Sequence, residues 1–308
     1  MDFAEDKKAD MMAGAELLHS FCRDIISSGV YEGKNIWIEK LTYLSERLVD
    51  LKMGSLGRQI RIFLKDLDKE ESGWVELLLE QIGVWYPYGL NLKRILSNEI
   101  LEEQDIIWLI WAGWTISKER LDSIPVVDDN WIVMGIVREK IEQLQTVRTW
   151  LFGEQGKRWA QHLEYLPPFQ KTAFSWTIGK KYAAGMIFYP GENNYRVKIK
   201  ELRTDSFATW PEVGGSLDNL SSDTGRILAK TPFLLNYPVL IHSVHFRKYG
   251  KVIRIADGFG KYISVHSATT IKPEWLLLSL EQELSVFGEW ERDGLKVLSV
   301  GYKGEFYN

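Results

Sequence analysis

Few residues in this sequence are of types that do chemistry, and they are scattered. The single cysteine, Cys22, follows His19 by three positions in AGAELLHSFCRDIISSG. A thiol beside an imidazole is a minimal nucleophile and base, and a three-residue spacing lets the two touch on a helix. The same periodicity puts Cys22 among Leu17, Leu18, Phe21, Ile25 and Ile26 on an apolar stripe. There a thiol behaves as a small hydrophobic group, and this packing role is the expectation. No catalytic residue is assigned. Glu289 in FGEWERDG and Asp257 in ADGFG lie near turn dipeptides and are expected to be solvated.

His242 and His245 in IHSVHF suggest a metal pair, with His266 as a third ligand. On a regular strand, positions three apart point to opposite faces, so structural histidines are expected. A structural zinc site generally needs four close nitrogen or sulfur ligands, and one cysteine with five dispersed histidines carries no such spacing. No metal or cofactor is expected. The sequence also lacks a Walker loop, a dinucleotide-binding glycine loop and a G-x-S-x-G elbow.

Basic and aromatic residues interleave in two places. Arg148, Lys157 and Arg158 alternate with Trp150 and Trp159, and YRVKIKELR sets Arg196, Lys198 and Lys200 on one strand face. Such a β-surface can hold a single nucleic-acid strand by stacking and phosphate contact. A half-buried strand with a solvated basic face gives the same alternation, and the net charge of −4 gives no global attraction to a polyanion. Nucleic-acid binding is therefore the alternative function. Within VRTWLFGEQGKRWAQHLEYL, the expected structure is two strands and a turn, with Trp150 and Trp159 as packing residues and Arg148 bridging to a carboxylate.

The elements that carry these residues divide the chain in two. An α+β fold is expected, with a helical bundle over 1–125 and a β-rich domain of antiparallel strands with short helices over 126–308. Helical stripes recur in NIWIEKLTYLSERLVDLK and GSLGRQIRIFLKDL, then in a segment interrupted near Pro87 and Gly89, then in LEEQDIIWLIWAGW. From Asn130 the period shortens toward two. Trp131, Val133, Gly135 and Val137 share one face, and Ile132, Met134 and Ile136 the other. Both faces are apolar, which marks a central strand. Asp257-Gly258 and Asp293-Gly294 predict tight turns. No signal-like apolar segment and no run of about 18 apolar residues is present, so a cytoplasmic location without a membrane span is expected.

Five stretches in order carry a family resemblance: RLVDLKMGSLGRQIR, DDNWIVMGI, VRTWLFGEQGKRWA, AGMIFYPGENNYRVKI and VFGEWERDGLKVLSV. Over most of residues 15–300 the chain resembles the C-terminal region of bacterial SWIM zinc-finger proteins. A SWIM finger needs Cys-x-Cys followed by Cys-x-His, and neither occurs here. The resemblance therefore implies the downstream part without the finger. It implies an assembly role beside MoxR-type ATPases and von Willebrand factor A-domain proteins. The expected function is a non-enzymatic interaction or scaffold protein with protein partners. Trp85, Trp114 and Trp210 are candidates for an exposed aromatic patch.

Overall fold

The computed structural model describes residues 5–30, 32–98, 101–141, 144–234, 236–250, 252–291 and 294–308. The fold is α+β, with N-terminal helices followed by β-sheets. It forms two compact units. The first holds the chain up to Lys118 together with Pro190–Asn194 and Leu228–Phe233. The second holds Glu119–Tyr189, Tyr195–Ile227 and Leu234–Asn308. Among the described residues, no helix is long and apolar enough to cross a membrane.

The helices of the first unit are α1 (Glu5–Ser28), α2 (Lys34–Asp50), α3 (Gly54–Lys69), α4 (Trp74–Ser97) and α5 (Ile106–Ala112). α1 packs on α4, and α2 on α3. The expected apolar stripes form their common core, except that Ile26 of the α1 stripe is exposed. Gly29 ends α1 with φ of +78°, as its glycine signal suggests. α4 runs unbroken through Pro87, against the expected interruption. An internal proline costs about 3 kcal/mol through a lost hydrogen bond and a steric clash, and packing offsets it here. Tyr88 is fully buried, and its hydroxyl donates to the Trp108 carbonyl at 2.6 Å. The rings of Tyr88, Trp108, Trp111 and Phe233 pack with centroids 4.4–5.5 Å apart.

The short α6 (Lys118–Asp122) precedes five strands of the second unit that close into a barrel. They are β1 (Val127–Ile141), β2 (Leu144–Gly153), β3 (Trp159–Leu166), β4 (Lys180–Phe188) and β5 (Arg196–Phe207), in the order β1-β2-β3-β5-β4. All neighbours are antiparallel except β3 and β5, whose parallel pairing of Gln161 with Arg196 and His162 with Val197 completes the closure. α7 (Leu217–Lys230) leads to β6 (Tyr237–Tyr249), β7 (Val252–Asp257) and β8 (Tyr262–Ser264). α8 (Pro273–Glu281), β9 (Leu284–Glu291), β10 (Gly294–Tyr302) and β11 (Glu305–Tyr307) come next along the chain. The sheet order is β11-β10-β9-β6-β7-β8. Beyond β8, Val265 bridges back to Leu295 at the start of β10.

β1 is central and buried on both faces, as its composition predicts. Trp131 and Val133 fill one cluster with Leu151 and Met186, whereas Ile132 and Met134 pack with Trp150, Leu240 and Phe287. The simple alternation fails after Val133, because a bulge shifts the register between Val133 and Gly135. Ile136 consequently joins the cluster of Trp131 and Val133. A bulge adds one unpaired residue and reverses the facing of the residues beyond it. Ser299 Oγ donates to the Met134 carbonyl at 2.6 Å. A Cβ on Gly135 would lie 2.7 Å from Leu298. The Asp257-Gly258 turn forms as expected. Asp293 lies outside the described residues, and Gly294 takes φ of +139°.

Candidate interaction site

The hairpin between Val147 and Leu166 forms from β2 and β3, and one carboxylate holds its turn. Asp129 on β1 accepts from the backbone N–H of Gln155 at 3.0 Å and of Gly156 at 2.8 Å. A Cβ on Gly153 would lie 2.6 Å from Asp129 Oδ2, so the glycine makes room for this contact. Trp150 is fully buried, and Trp159 stacks on Phe287 with centroids 5.0 Å apart. Both are packing residues.

Arg148 bridges to two carboxylates. Its Nε and Nη2 donate to Glu289 at 3.0 and 2.9 Å, and its Nη1 and Nη2 donate to Glu139 at 2.8 and 3.1 Å. Trp150 Nε1 donates to Glu289 at 2.5 Å, and Lys296 reaches Glu139 at 2.7 Å. Glu289 is wholly buried, which corrects the expectation of a solvated side chain. Its neighbouring turn dipeptide says nothing of its strand facing; its partners Arg148 and Trp150 lie some 140 positions away in sequence. Burial would raise the Glu139 carboxyl, but Arg148 and Lys296 hold it at about 2. Burial would lower the Arg148 guanidinium, and Glu289 with Glu139 raises it well above its ordinary range.

Cys22 is sealed in the helical core, where burial pushes its thiol up to about 12. A nucleophilic thiol needs the opposite shift. His19 stacks on Tyr86 at 5.0 Å, and its Nε2 is buried with no hydrogen-bond partner. The three histidines considered for metal bond elsewhere. His242 donates from Nε2 to the Val213 carbonyl and accepts at Nδ1 from Ser285 Oγ, both at 2.7 Å. His245 donates to the Ser279 carbonyl at 3.0 Å, and His266 faces Glu291 at 3.3 Å. The strand between His242 and His245 is irregular, with a register shift between Ile241 and Val244.

The basic residues proposed for nucleic acid do not assemble into one surface. Arg148 points into the ion network. Lys198 and Lys200 both bind Asp122, at 2.8 and 2.5 Å. The Arg196 guanidinium lies 4.6 Å from the Tyr189 ring centre, and that of Arg158 lies 3.5 Å from Phe188. Lys157 sits in the β2–β3 turn with φ of +48°.

A different basic and aromatic face emerges on the other sheet. Pairing of β6 with β7 and of β7 with β8 puts Arg247, Tyr249, Val252, Arg254, Tyr262 and Ser264 on one side. The Arg254 guanidinium lies 5.3 Å from the Tyr249 ring centre and 4.0 Å from that of Tyr262. Arg254 Nε is buried and has no hydrogen-bond partner. Tyr249, Val252 and Tyr262 are each about half exposed. Asp257 accepts from the backbone N–H of Phe259 and Lys261, both at 2.9 Å, and the turn so held leaves Phe259 exposed. Sequence reasoning missed this face, although alternation in HFRKY and VIRIAD across a hairpin foreshadows it. Trp85, Trp114 and Trp210, expected as surface anchors, are all buried, because large rings stabilise most when removed from water. Compared with models of known protein families, with curated proteins and with solved structures, the chain gives no match.

Proposed function

We propose that this chain is a non-enzymatic interaction protein that docks an acidic segment of a partner protein on the outer face of β6, β7 and β8. The observation that carries this reading is the contact of Arg254 with the half-exposed rings of Tyr249 and Tyr262 beside Arg247, on a face whose paired residues include no carboxylate. Arginine and tyrosine are the residue types that concentrate binding energy at protein interfaces. Guanidinium groups pair with carboxylates in fork geometry. The resemblance to SWIM-protein C-terminal regions supports an assembly role, with a MoxR-type ATPase or a von Willebrand A-domain protein in the cytoplasm as partner. A nucleic-acid partner is disfavoured by the net charge of −4 and by the engagement of Arg148, Lys198 and Lys200 with carboxylates.

The test uses the full chain with purified ATPase and A-domain protein of the same host, a Glu- and Phe-containing peptide, and a thymidine oligonucleotide. Binding of one of the proteins and of the peptide, lost in R247E/R254E, is the expected result. Oligonucleotide binding that weakens steeply with salt, with no protein bound, would transfer the face to nucleic acid. Protein binding unchanged in the double variant would remove the face from the reading.

A further inference from the structure

We infer that the second unit contains a binding site for a small planar organic acid, of the size of a monocyclic aromatic carboxylate. A cavity of about 240 Å³ lies between α7, β6 and the β2–β3 hairpin. An apolar cavity of about 150 Å³ is enough to take up benzene, so this one has room for a ring with a carboxylate. α7 lines it with Leu220, Asp223, Thr224 and Ile227. These positions share one helical face, because residues three and four apart are neighbours. The hairpin supplies Phe152 and Trp159, with ring centroids 4.9 Å apart. Trp159 is backed by Phe287, which fixes its ring plane. The result is a slot with aromatic groups on the hairpin side and, on the helix side, Leu220 and Ile227 with the polar Asp223 and Thr224 beside them. Such a slot suits a flat ring.

Charge selects the head group. The polar side chains of the lining are mostly engaged. Tyr237 donates its hydroxyl to Thr224 Oγ1 at 3.0 Å. Asp223 is held by Arg226 on the next turn of the helix. Lys157, exposed on the β2–β3 turn, lines the same cavity, and its ammonium has no ion-pair or hydrogen-bond partner among the described residues. It is the positive charge of the lining, and the negative one, Asp223, is paired with Arg226. A carboxylate on the bound ring places its negative charge against Lys157 and its apolar body against Trp159 and Leu220. This site is separate from the β6–β8 face and holds whether or not that face binds a partner.

Benzoate is the probe, with toluene as its neutral analogue and benzylamine as its cationic one. Calorimetry and amide chemical shifts on the full-length protein give the readout. Benzoate is expected to bind one per chain, to shift amides in 213–216 and 220–227, and to bind at least tenfold more tightly than benzylamine. K157Q is expected to weaken benzoate at least tenfold and leave toluene unchanged. L220W fills the slot and should abolish both; I227F serves where L220W fails to fold. Absence of saturable benzoate binding to the wild-type chain would overturn the proposal. So would equal affinity for benzylamine, or binding that survives both K157Q and the filling variants.

Discussion

Replacing Arg148 with methionine tests the energetics of the ion network directly. Glu289 is fully buried and receives two hydrogen bonds from Arg148. Among the described residues, in R148M it keeps only Trp150 Nε1 at 2.5 Å and the long contact from Asn236 Nδ2 at 3.4 Å. Removing one partner of a buried ion pair costs about 3–5 kcal/mol, because the other charge stays buried without its counter-charge. Glu139 is about one-third exposed and retains Lys296, so its share is at most about 1 kcal/mol. For a unit of this size each kcal/mol lowers the melting midpoint by about 2–4 °C, so R148M, losing about 3–6 kcal/mol in all, should melt about 6–24 °C below wild type. The second variant, R148M/E289Q, removes the orphaned charge but keeps an acceptor for Trp150. It should recover more than half of the loss. R148K should fall between, since one ammonium cannot span both carboxylates. Urea unfolding followed by tryptophan fluorescence and circular dichroism gives the free energies. A loss under about 1 kcal/mol in R148M would refute the reasoning, as would losses in R148M and E289Q that simply add in the double variant.

Other parts of the structure give further expectations. His162 is lowered to about 4, chiefly by burial and secondarily by the charge of Arg196. Its unfolded value is about 6.5, so its contribution is present above pH 6.5 and is lost as pH falls to about 4. The loss amounts to about 3 kcal/mol, and the stability difference between wild type and H162Q should change over that window and be flat above it. Cys22 should react with a thiol reagent only at the rate of unfolding, and a fast reaction in native buffer would contradict a sealed core. G288A should destabilise by about 1–3 kcal/mol or more in urea, because the added Cβ would sit 2.3 Å from the Lys296 carbonyl oxygen, a backbone atom that must shift to admit it.

Local features were legible in the sequence. The helical stripes, the β2–β3 hairpin and the doubly buried β1 follow from periods of 3.6 and 2 and from glycine signals. The turn Gly153 to Gly156 also marks where Asp129 caps the hairpin, but nothing local to the turn announces that aspartate. Arg148 is legible as an inward-facing cation, whereas its partner Glu289 stands next to a turn dipeptide and mimics a solvated residue. Long-range pairing decided that case. The same holds for barrel closure, which depends on two parallel pairs between β3 and β5 with β4 intervening in the chain. Pro87 misled because its local penalty is smaller than the aromatic packing around Tyr88. The β1 bulge misled because one extra residue at Met134 inverts every later facing. The face of Arg247, Tyr249, Arg254 and Tyr262 needs three strands in register, so no single stretch carries it.

The way the strands end has a consequence for self-association. An open sheet normally offers a row of unpaired backbone groups to any passing chain. The barrel strands close on one another, and the outermost strands of the other sheet, Tyr262–Ser264 and Glu305–Tyr307, are three residues each. Val265 then ties back to Leu295, and β11 covers the far end of the same β10. At both ends of that sheet, a second copy in a concentrated solution thus meets short, interrupted backbone ladders. Long, flat edges are the hazard for templated growth, so the two ends of this sheet are poor templates.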